Sequence, residues 1–259
     1  MADQKKNGKL AVIILAAGKG TRMKNPDMAK VMYEVDGVPM IRYVVELALK
    51  LSPERLLVVV GWQKQSVIDY VSTLSDKVVF VAQEKQLGTG HAVLQAAEPL
   101  RDFEGDLLVL SGDVPLLTEK TALALAGYHK ISEADATILT AEVEEATGYG
   151  RIVRNKEGFV QKIVEQRDAS PAELAIGEIN SGIYVFDRQR LFDALEKVKP
   201  ENAQGEYYLT DVFEVFWNQN LRVAAVKAVE PVEVMGINDL TQLEAARKVI
   251  AARASASNG

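Results

Sequence analysis

Four short apolar runs in the first half of the chain constrain its fold more than any other feature. They are "LAVIIL" (10–15), "RLLVVV" (55–60), "VVFVA" (78–82) and "DLLVLS" (106–111). Each has the length of a strand and lacks the polar alternation of a half-exposed one, so both faces are expected to be covered. Between them lie "PMIRYVVELALKL" (39–51), "QSVIDYVSTL" (65–74) and "GHAVLQAAEPL" (90–100), with apolar residues at helical spacing. Strands alternating with helices predict a mostly parallel sheet flanked by helices, an α/β fold. Ligands of such open sheets collect at the carboxyl ends of the strands. The first run ends at Ala16–Gly18 and the fourth at Ser111–Asp113, so both segments are expected to border one cleft.

Beyond about residue 135 the texture changes. "ATILTAEV", "GRIVR", "FVQKIVEQ" and "EINSGIYVFD" read as mixed strands that extend the sheet, with few long helices between them. A helix is expected at "YYLTDVFEVFWNQ", a strand at "RVAAVKAV", and a last helix from about Asp239 to Ala252. With no Pro/Gly-rich linker and no internal repeat, the expectation is one domain over 1–254. It would have two lobes, one at about 1–134 and a second at about 135–254. The tail 255–259 is expected to be disordered.

The 259 residues carry a net charge of −6, which offers no general attraction to nucleic acid or anionic membrane. An anionic substrate would have to be met by local Lys and Arg or by a metal. The absence of cysteine excludes disulfides, thiolate nucleophiles and Cys-ligated zinc. His91 and His129 alone make a His-rich metal site or a Ser/His triad a poor expectation. "MADQKKNGKL" lacks the apolar core of a signal peptide, and 10–17 is far too short to cross a bilayer. A cytoplasmic protein is expected.

The first run leads into "LAAGKGTRM" (15–23). It is too compact for a phosphate loop with glycines four residues apart, and Met23 stands where a dinucleotide fingerprint needs its third glycine. What remains is a turn with Gly18, Gly20, the hydroxyl of Thr21 and the guanidinium of Arg22. Glycines let backbone amides approach a ligand, Arg22 can grip phosphate oxygens in pairs, and Lys30 can add a compact charge. A tight turn with solvated basic residues is an equal reading of these residues alone.

The full string, followed by a Lys at the start of another short segment, resembles the nucleoside-triphosphate loop of sugar-phosphate nucleotidylyltransferases. "QEKQLGTGHAV" (83–93), "SGDVPLL" (111–117), "GYGRIVR" (148–154), "KIVEQRDA" (162–169), "EINSGIYVFD" (178–187), "NAQGEYYLTD" (202–211) and "MGIND" (235–239) extend the likeness over nearly the whole chain. Together they resemble the N-terminal pyrophosphorylase domain of the bacterial bifunctional N-acetylglucosamine-1-phosphate uridylyltransferases. The resemblance implies a Rossmann-like, glycosyltransferase-A-type fold. It implies reaction of UTP with N-acetylglucosamine 1-phosphate to give UDP-N-acetylglucosamine and pyrophosphate, with Mg²⁺. Ala29 departs from the family's usual proline before the lysine, and Asp239 from a common second asparagine. Family proteins continue into a left-handed β-helix that carries acetyl transfer and trimerisation. This chain stops where those repeats would begin, so the expectation is a monomer without acetyltransferase activity.

The resemblance assigns roles position by position. Arg22, Lys30 and Asp113 are expected to be catalytic, with Asp113 and Asn238 as metal ligands. A hard carboxylate and an amide oxygen suit Mg²⁺, which takes few protein ligands. Asp113 as a turn former and Asn238 as a helix cap are the plain structural readings. Leu15, Ala16, Ala17, Gly18, Gly20, Thr21, Gln83, Gly88 and Thr89 are expected around the nucleotide. A Gln83 amide offers both a donor and an acceptor to the uracil edge. His91 is expected only to cap or pack its loop. Gly150, Glu165 and Asn180 are expected around the sugar, with Tyr208 and Thr210 at its phosphate and acetyl sides.

Three other readings stand beside this one. A different nucleotidylyltransferase would use glucose 1-phosphate or dTTP. A non-catalytic nucleotide-sugar-binding module would dispense with the phosphate and metal residues, all of which are present here. A glycosyltransferase would carry an Asp-x-Asp motif, which is absent.

Overall fold

The computed structural model describes residues 8–23, 25 and 27–257. The N-terminal residues 1–7, on which the signal-peptide argument rested, and residues 258–259 of the tail lie outside the described residues, as does the Thr21 side chain. Along the chain come β1 (Leu10–Ala16), β2 (Glu34–Val35), β3 (Val38–Pro39), α1 (Met40–Lys50), β4 (Arg55–Val60), α2 (Lys64–Ser72), β5 (Val78–Ala82), α3 (Thr89–Leu94), β6 (Asp106–Ser111) and α4 (Glu119–Ile131). There follow β7 (Ala136–Glu142), β8 (Arg151–Arg154), β9 (Val160–Val164), α5 (Pro171–Leu174), β10 (Glu178–Asp187), α6 (Arg188–Leu195), α7 (Val212–Asn218), β11 (Val223–Lys227) and α8 (Leu240–Ser257).

The strand order β11-β7-β10-β6-β1-β4-β5 runs through one sheet, in which β10 is antiparallel to β7, β6 and β8, and β9 is antiparallel to β8. β1 lies inside it, parallel to both β4 and β6. Side chains alternate across a strand, so each apolar run feeds two cores. Val12, Ile14, Leu56, Val58, Leu108 and Leu110 pack on one face with α1, α2 and α4 residues such as Val45, Val71 and Leu125. Ala11, Ile13, Leu57, Val59, Leu107 and Val109 pack on the other with Val93, Leu191, Phe213 and Phe216. The interior positions of β1, β4 and β6 are therefore apolar on both faces for a reason. The Rossmann-like, mixed and mostly parallel sheet is as the sequence predicts.

β5 corrects one expectation. It pairs with β4 alone at the sheet edge and is only partly buried, with Val79 46% exposed. α4 and α6 were not anticipated. Thr118 and Asp187 cap them, each side chain accepting a backbone N–H of the first turn, from Thr121 and Arg190. The helix expected through 100 ends at Leu94 and continues as turns. The one expected from Tyr207 opens as a 3-10 turn at Leu209–Asp211 before α7.

α8 overruns its expected end into the segment read as a disordered tail. Its Ala-rich, proline-free sequence puts no barrier in the way. Asp239 caps it, Oδ1 accepting from Gln242 N at 2.9 Å. The helix also crosses the lobe boundary drawn from sequence. Leu243 and Ala246 pack with Met23, Val35, Met40 and Leu116 of the first lobe. Among the described residues no helix is long and apolar enough to cross a membrane.

Candidate active site

The carboxyl ends of β1 and β6 meet as the topology requires. Gly112 N donates to the Leu15 carbonyl at 2.9 Å, and a Cβ at Gly112 would sit 2.9 Å from that oxygen. Only glycine lets the two strand ends close. The chain then presents Asp113 to the cleft. The Asp113 carbonyl accepts from Ile237 N at 2.9 Å, which pins the "GIND" segment beside "SGD" and brings Asn238 to the same point.

The glycine turn covers the other side. Gly20 is left-handed, with φ +63, and a Cβ there would lie 2.5 Å from Lys30 Cβ. Its carbonyl accepts from Met23 N at 2.9 Å, closing the 3-10 turn that carries Arg22. Lys30 is held from below by the buried Ala29 and Val31. The result is a charged cluster drawn from three segments. Lys30 Nζ pairs with Asp113 Oδ2 and donates to Asn238 Oδ1 at 2.7 Å, and Arg22 donates to the same Asn238 oxygen at 2.9 Å.

No group of three or more His, Cys, Asp or Glu side chains among the described residues could hold a metal. Asp113 and Asn238 nonetheless offer two hard oxygens that converge on one cationic centre, the Lys30 ammonium. That donor set fits a small divalent cation that keeps most of its waters.

The cluster sits where two cavities join. The larger, about 630 Å³, is lined by Leu15, Ala16, Ala17, Gly18, Gly20, Arg22, Lys30, Gln83, Gly88, Thr89, Asp113 and Asn238. Every residue expected around the nucleotide, apart from Thr21, is thus in one place. Ser111 lines it too, as its place at the end of β6 leads one to expect, and Lys19, Val31, Gln86, Ala92 and Glu206 join it without having been assigned a role from sequence. A Cβ on Gly18 would meet nothing within 4 Å, so this glycine keeps the cavity open rather than relieving a clash. Thr89 Oγ1 accepts from Leu209 N at 3.0 Å.

Gln83 revises its expected role. Its Nε2 donates to the Gly88 carbonyl at 3.0 Å and lies 2.9 Å from His91 Nδ1, so the donor end is engaged within the protein.

The smaller cavity, about 190 Å³, shares Leu15, Thr89, Ser111, Asp113 and Asn238 with the larger. Gly150, Glu165, Asn180 and Thr210 line it, together with Tyr149, Ser181 and Gly182. A bulge in β10 between Asn180 and Tyr184, with Gly182 at φ +76, turns this stretch into the cleft. Asn180 N donates to the Gly150 carbonyl at 2.9 Å, and Asn180 Nδ2 donates to the Tyr184 hydroxyl at 2.8 Å. Burial pushes the Glu165 carboxyl up, while the Thr210 hydroxyl donating at 3.0 Å opposes the shift. Burial likewise raises the Tyr149 phenol. Tyr208 is not brought into either cavity. It lines an adjoining recess with Asp168 and Asp211, which shares Glu165 with the smaller cavity, because the chain turns into a 3-10 helix right after it and breaks the parity that would align it with Thr210.

A family model described as nucleotidyl transferase matches residues 11–230. The "Bifunctional protein GlmU" of Pelotomaculum thermopropionicum is 48% identical over 244 residues, 94% of this chain and 52% of that protein. The protein of the same name from Latilactobacillus sakei is 50% identical over 241 residues, 93% of this chain and 51% of its own length. The chain spans about half the length of the curated relatives it matches. A solved UDP-glucose pyrophosphorylase complexed with UDP-glucose superposes with a TM-score of 0.78 at 19% identity, over 95% of this chain and 99% of that one, and so shares the fold. The matched span opens on β1 and takes in the glycine turn, the Asp113 strand end and both cavities' walls up to β11, and on that footing the chain belongs to the nucleotidyl transferase family.

Proposed function

We propose that the chain transfers the uridylyl group of UTP to N-acetylglucosamine 1-phosphate, releasing pyrophosphate and UDP-N-acetylglucosamine. The observation that carries this reading is the Arg22–Lys30–Asp113–Asn238 cluster at the junction of two cavities, one large and glycine-walled, the other small and lined by polar groups. The near-half identity to the GlmU proteins supports the choice of sugar and nucleotide.

A sugar 1-phosphate is already an anion at neutral pH and needs no base before it attacks. Its oxygen forms a bond to the α-phosphorus, the bond from that phosphorus to the α–β bridging oxygen breaks, and pyrophosphate leaves with the electron pair. The work left to the protein is alignment and charge neutralisation. This fits a chain with two histidines, neither of which lines either cavity.

Arg22, exposed on its turn, reaches phosphate oxygens from the rim, and Lys30 supplies charge from a fixed base. Gly18 and Gly20 give backbone access to the triphosphate. Gln83, Gly88 and Thr89 hold the base and ribose. Glu165 and Asn180 bond the sugar hydroxyls. Asp113 and Asn238 would hold Mg²⁺, which when bound supplies positive charge to the phosphates. The substrates place the reaction in the cytoplasm.

A pyrophosphate-release assay over a panel of nucleoside triphosphates and sugar 1-phosphates tests the proposal. UTP with N-acetylglucosamine 1-phosphate should give the highest kcat/KM. Release with another pair and not this one would move the reading to that pair. No release with any pair, alongside tight nucleotide-sugar binding, would make the chain a binding module.

A further inference from the structure

Gln83 lies just past the end of β5, is 3% exposed, and still lines the larger cavity. The Gly88 carbonyl and His91 Nδ1 both face its Nε2, at 3.0 and 2.9 Å. A carbonyl oxygen can only accept, so chemistry alone fixes the atom beside Gly88 as the amide nitrogen. Both of its hydrogens are then in use. His91 Nδ1 must be the bare, accepting nitrogen, and the ring proton sits on Nε2. Burial lowers the His91 pKa, which favours the neutral ring that this hydrogen bond requires. Gln95 Nε2 donates to the His91 carbonyl at 3.0 Å, and in this tautomer its 3.3 Å approach to His91 Nε2 is a contact rather than a bond.

The Gly88 carbonyl is itself fixed. Gly88 has φ +108, and a Cβ there would lie 2.5 Å from the Tyr207 carbonyl. Tyr207 N donates to Leu87 O, and Gly90 N donates to Tyr207 O, each at 2.8 Å. The Gln83 oxygen, by contrast, meets no donor among the described residues. Gln83 therefore presents a single, oriented acceptor to the cavity.

We infer that His91 is a positioning residue that fixes the Gln83 amide with its oxygen toward the base, and so favours a pyrimidine with a protonated N3 over one whose N3 is bare. This rests on the uridylyl-transfer reading and deepens it. A uracil N3–H donates to Gln83 Oε1. A cytosine N3 places a second lone pair against that oxygen and leaves both acceptors unpaired, which a buried site penalises. Without the His91 acceptor, one of the two restraints on the amide is gone and the reversed amide becomes accessible.

The test compares the parent with His91→Leu, which removes the acceptor, and His91→Asn, which can place an oxygen near the position of Nδ1. Affinities for UTP and CTP are measured by calorimetry, and kcat/KM by pyrophosphate release. His91→Leu should narrow the UTP-to-CTP ratio about tenfold, equivalent to about 1.4 kcal/mol, mostly through KM for UTP. His91→Asn should recover most of that ratio. If His91→Leu does not melt cooperatively, His91→Gln serves instead, because its oxygen reaches the Nε2 position and should not rescue. An unchanged ratio in a folded His91→Leu, or equal ratios in the Asn and Gln variants, would overturn the role of His91 alone. A parent that neither binds nor turns over UTP would overturn the uridylyl-transfer reading itself.

Discussion

Gly20→Ala is the substitution for which the structure gives the most definite forecast. Two costs add. The residue sits at φ +63, a region that costs an L-residue about 1–2 kcal/mol. The new methyl would also lie 2.5 Å from Lys30 Cβ, 2.8 Å from Lys30 Cγ and 3.3 Å from Lys30 Cα. Carbon atoms prefer about 3.5–4.0 Å, so something must shift by roughly 1 Å. Lys30 cannot easily give way, because Ala29 and Val31 on either side are buried. The glycine turn must move, carrying Arg22 with it. A 1 Å misplacement of phosphate-gripping groups costs on the order of 10²-fold in rate. We expect kcat/KM in the pyrophosphate-release assay to fall about 100-fold and Tm to fall by roughly 2–8 °C. Gly18→Ala is the internal control. Its methyl meets nothing within 4 Å, so it should melt with the parent and raise KM for UTP only by intruding on the cavity. A Gly20→Ala protein with more than half of parental kcat/KM would refute the claim that this turn is held in register against Lys30.

Asp113→Asn should lower turnover by roughly 10²-fold or more without loss of melting temperature, as read by pyrophosphate release and thermal denaturation; near-normal turnover would remove Asp113 from the reacting centre. Arg22→Ala should raise KM for UTP and leave Tm within a few degrees, since the residue is exposed and, among the described residues, its side chain bonds across the cleft to Asn238 alone; a fall in Tm that tracks the fall in activity would make Arg22 structural. Asp211 is pushed up to about 6, first by burial and then by Glu165, Glu214 and Asp168. A raised folded-state pKa means that its contribution is complete below the ordinary carboxylate range and is lost as pH rises toward 6. Asp211→Asn should therefore melt higher than the parent at pH 7.5, by roughly 3–6 °C once solvent screening of this partly exposed group is allowed for, and the gap should close by pH 4; a constant gap across that range would refute the assignment.

The parts of this molecule that sequence could reveal are those governed by short-range rules. An apolar run whose interior residues are divided between two cores announces a central strand, which is why β1, β4 and β6 were legible to within a residue. The edge character of β5 was not, since its run is equally apolar and only the absence of a further neighbour leaves it half open. Gly18, Gly20, Asp113 and Asn238 stand at strand ends or in turns where their residue type has a local cause. Lys19, Gln86, Glu206 and Tyr149 line the cavities because the loops that carry them fold over the strand ends, and no spacing records that. The direction of the Gln83 amide depends on a carbonyl and a ring nitrogen beyond it in the chain, visible only once the loop closes. Tyr208 shows the limit from the other side. Its type suited a sugar contact, but the turn at Leu209–Asp211 rotates it into another recess.

The same long-range logic gives α8 a part in the site although none of its residues lines either cavity. Leu243 is 5% exposed and packs in one cluster with Met23 and Met40. Met23 closes the 3-10 turn through its bond to the Gly20 carbonyl, so the turn that carries Arg22 rests on α8. At the other end, Asp239 caps the helix while Asn238 N donates to Gln242 Oε1 at 2.6 Å, which fixes the residue that meets Lys30. Leu243→Ala should cost about 2–3 kcal/mol through the cavity it leaves. If α8 were only a lid on the core, that loss would appear in Tm and nowhere else, provided the assay is run well below the transition. If it anchors the turn, KM for UTP should rise several-fold at such a temperature, with KM for the sugar phosphate changed less, because the slack falls beneath Met23 and Arg22 rather than near Glu165. Ile250→Ala, on the same helix but farther along it, supplies the comparison. A Leu243→Ala enzyme with lower Tm and parental KM for both substrates would show that the helix stabilises the fold without setting the position of the nucleotide turn.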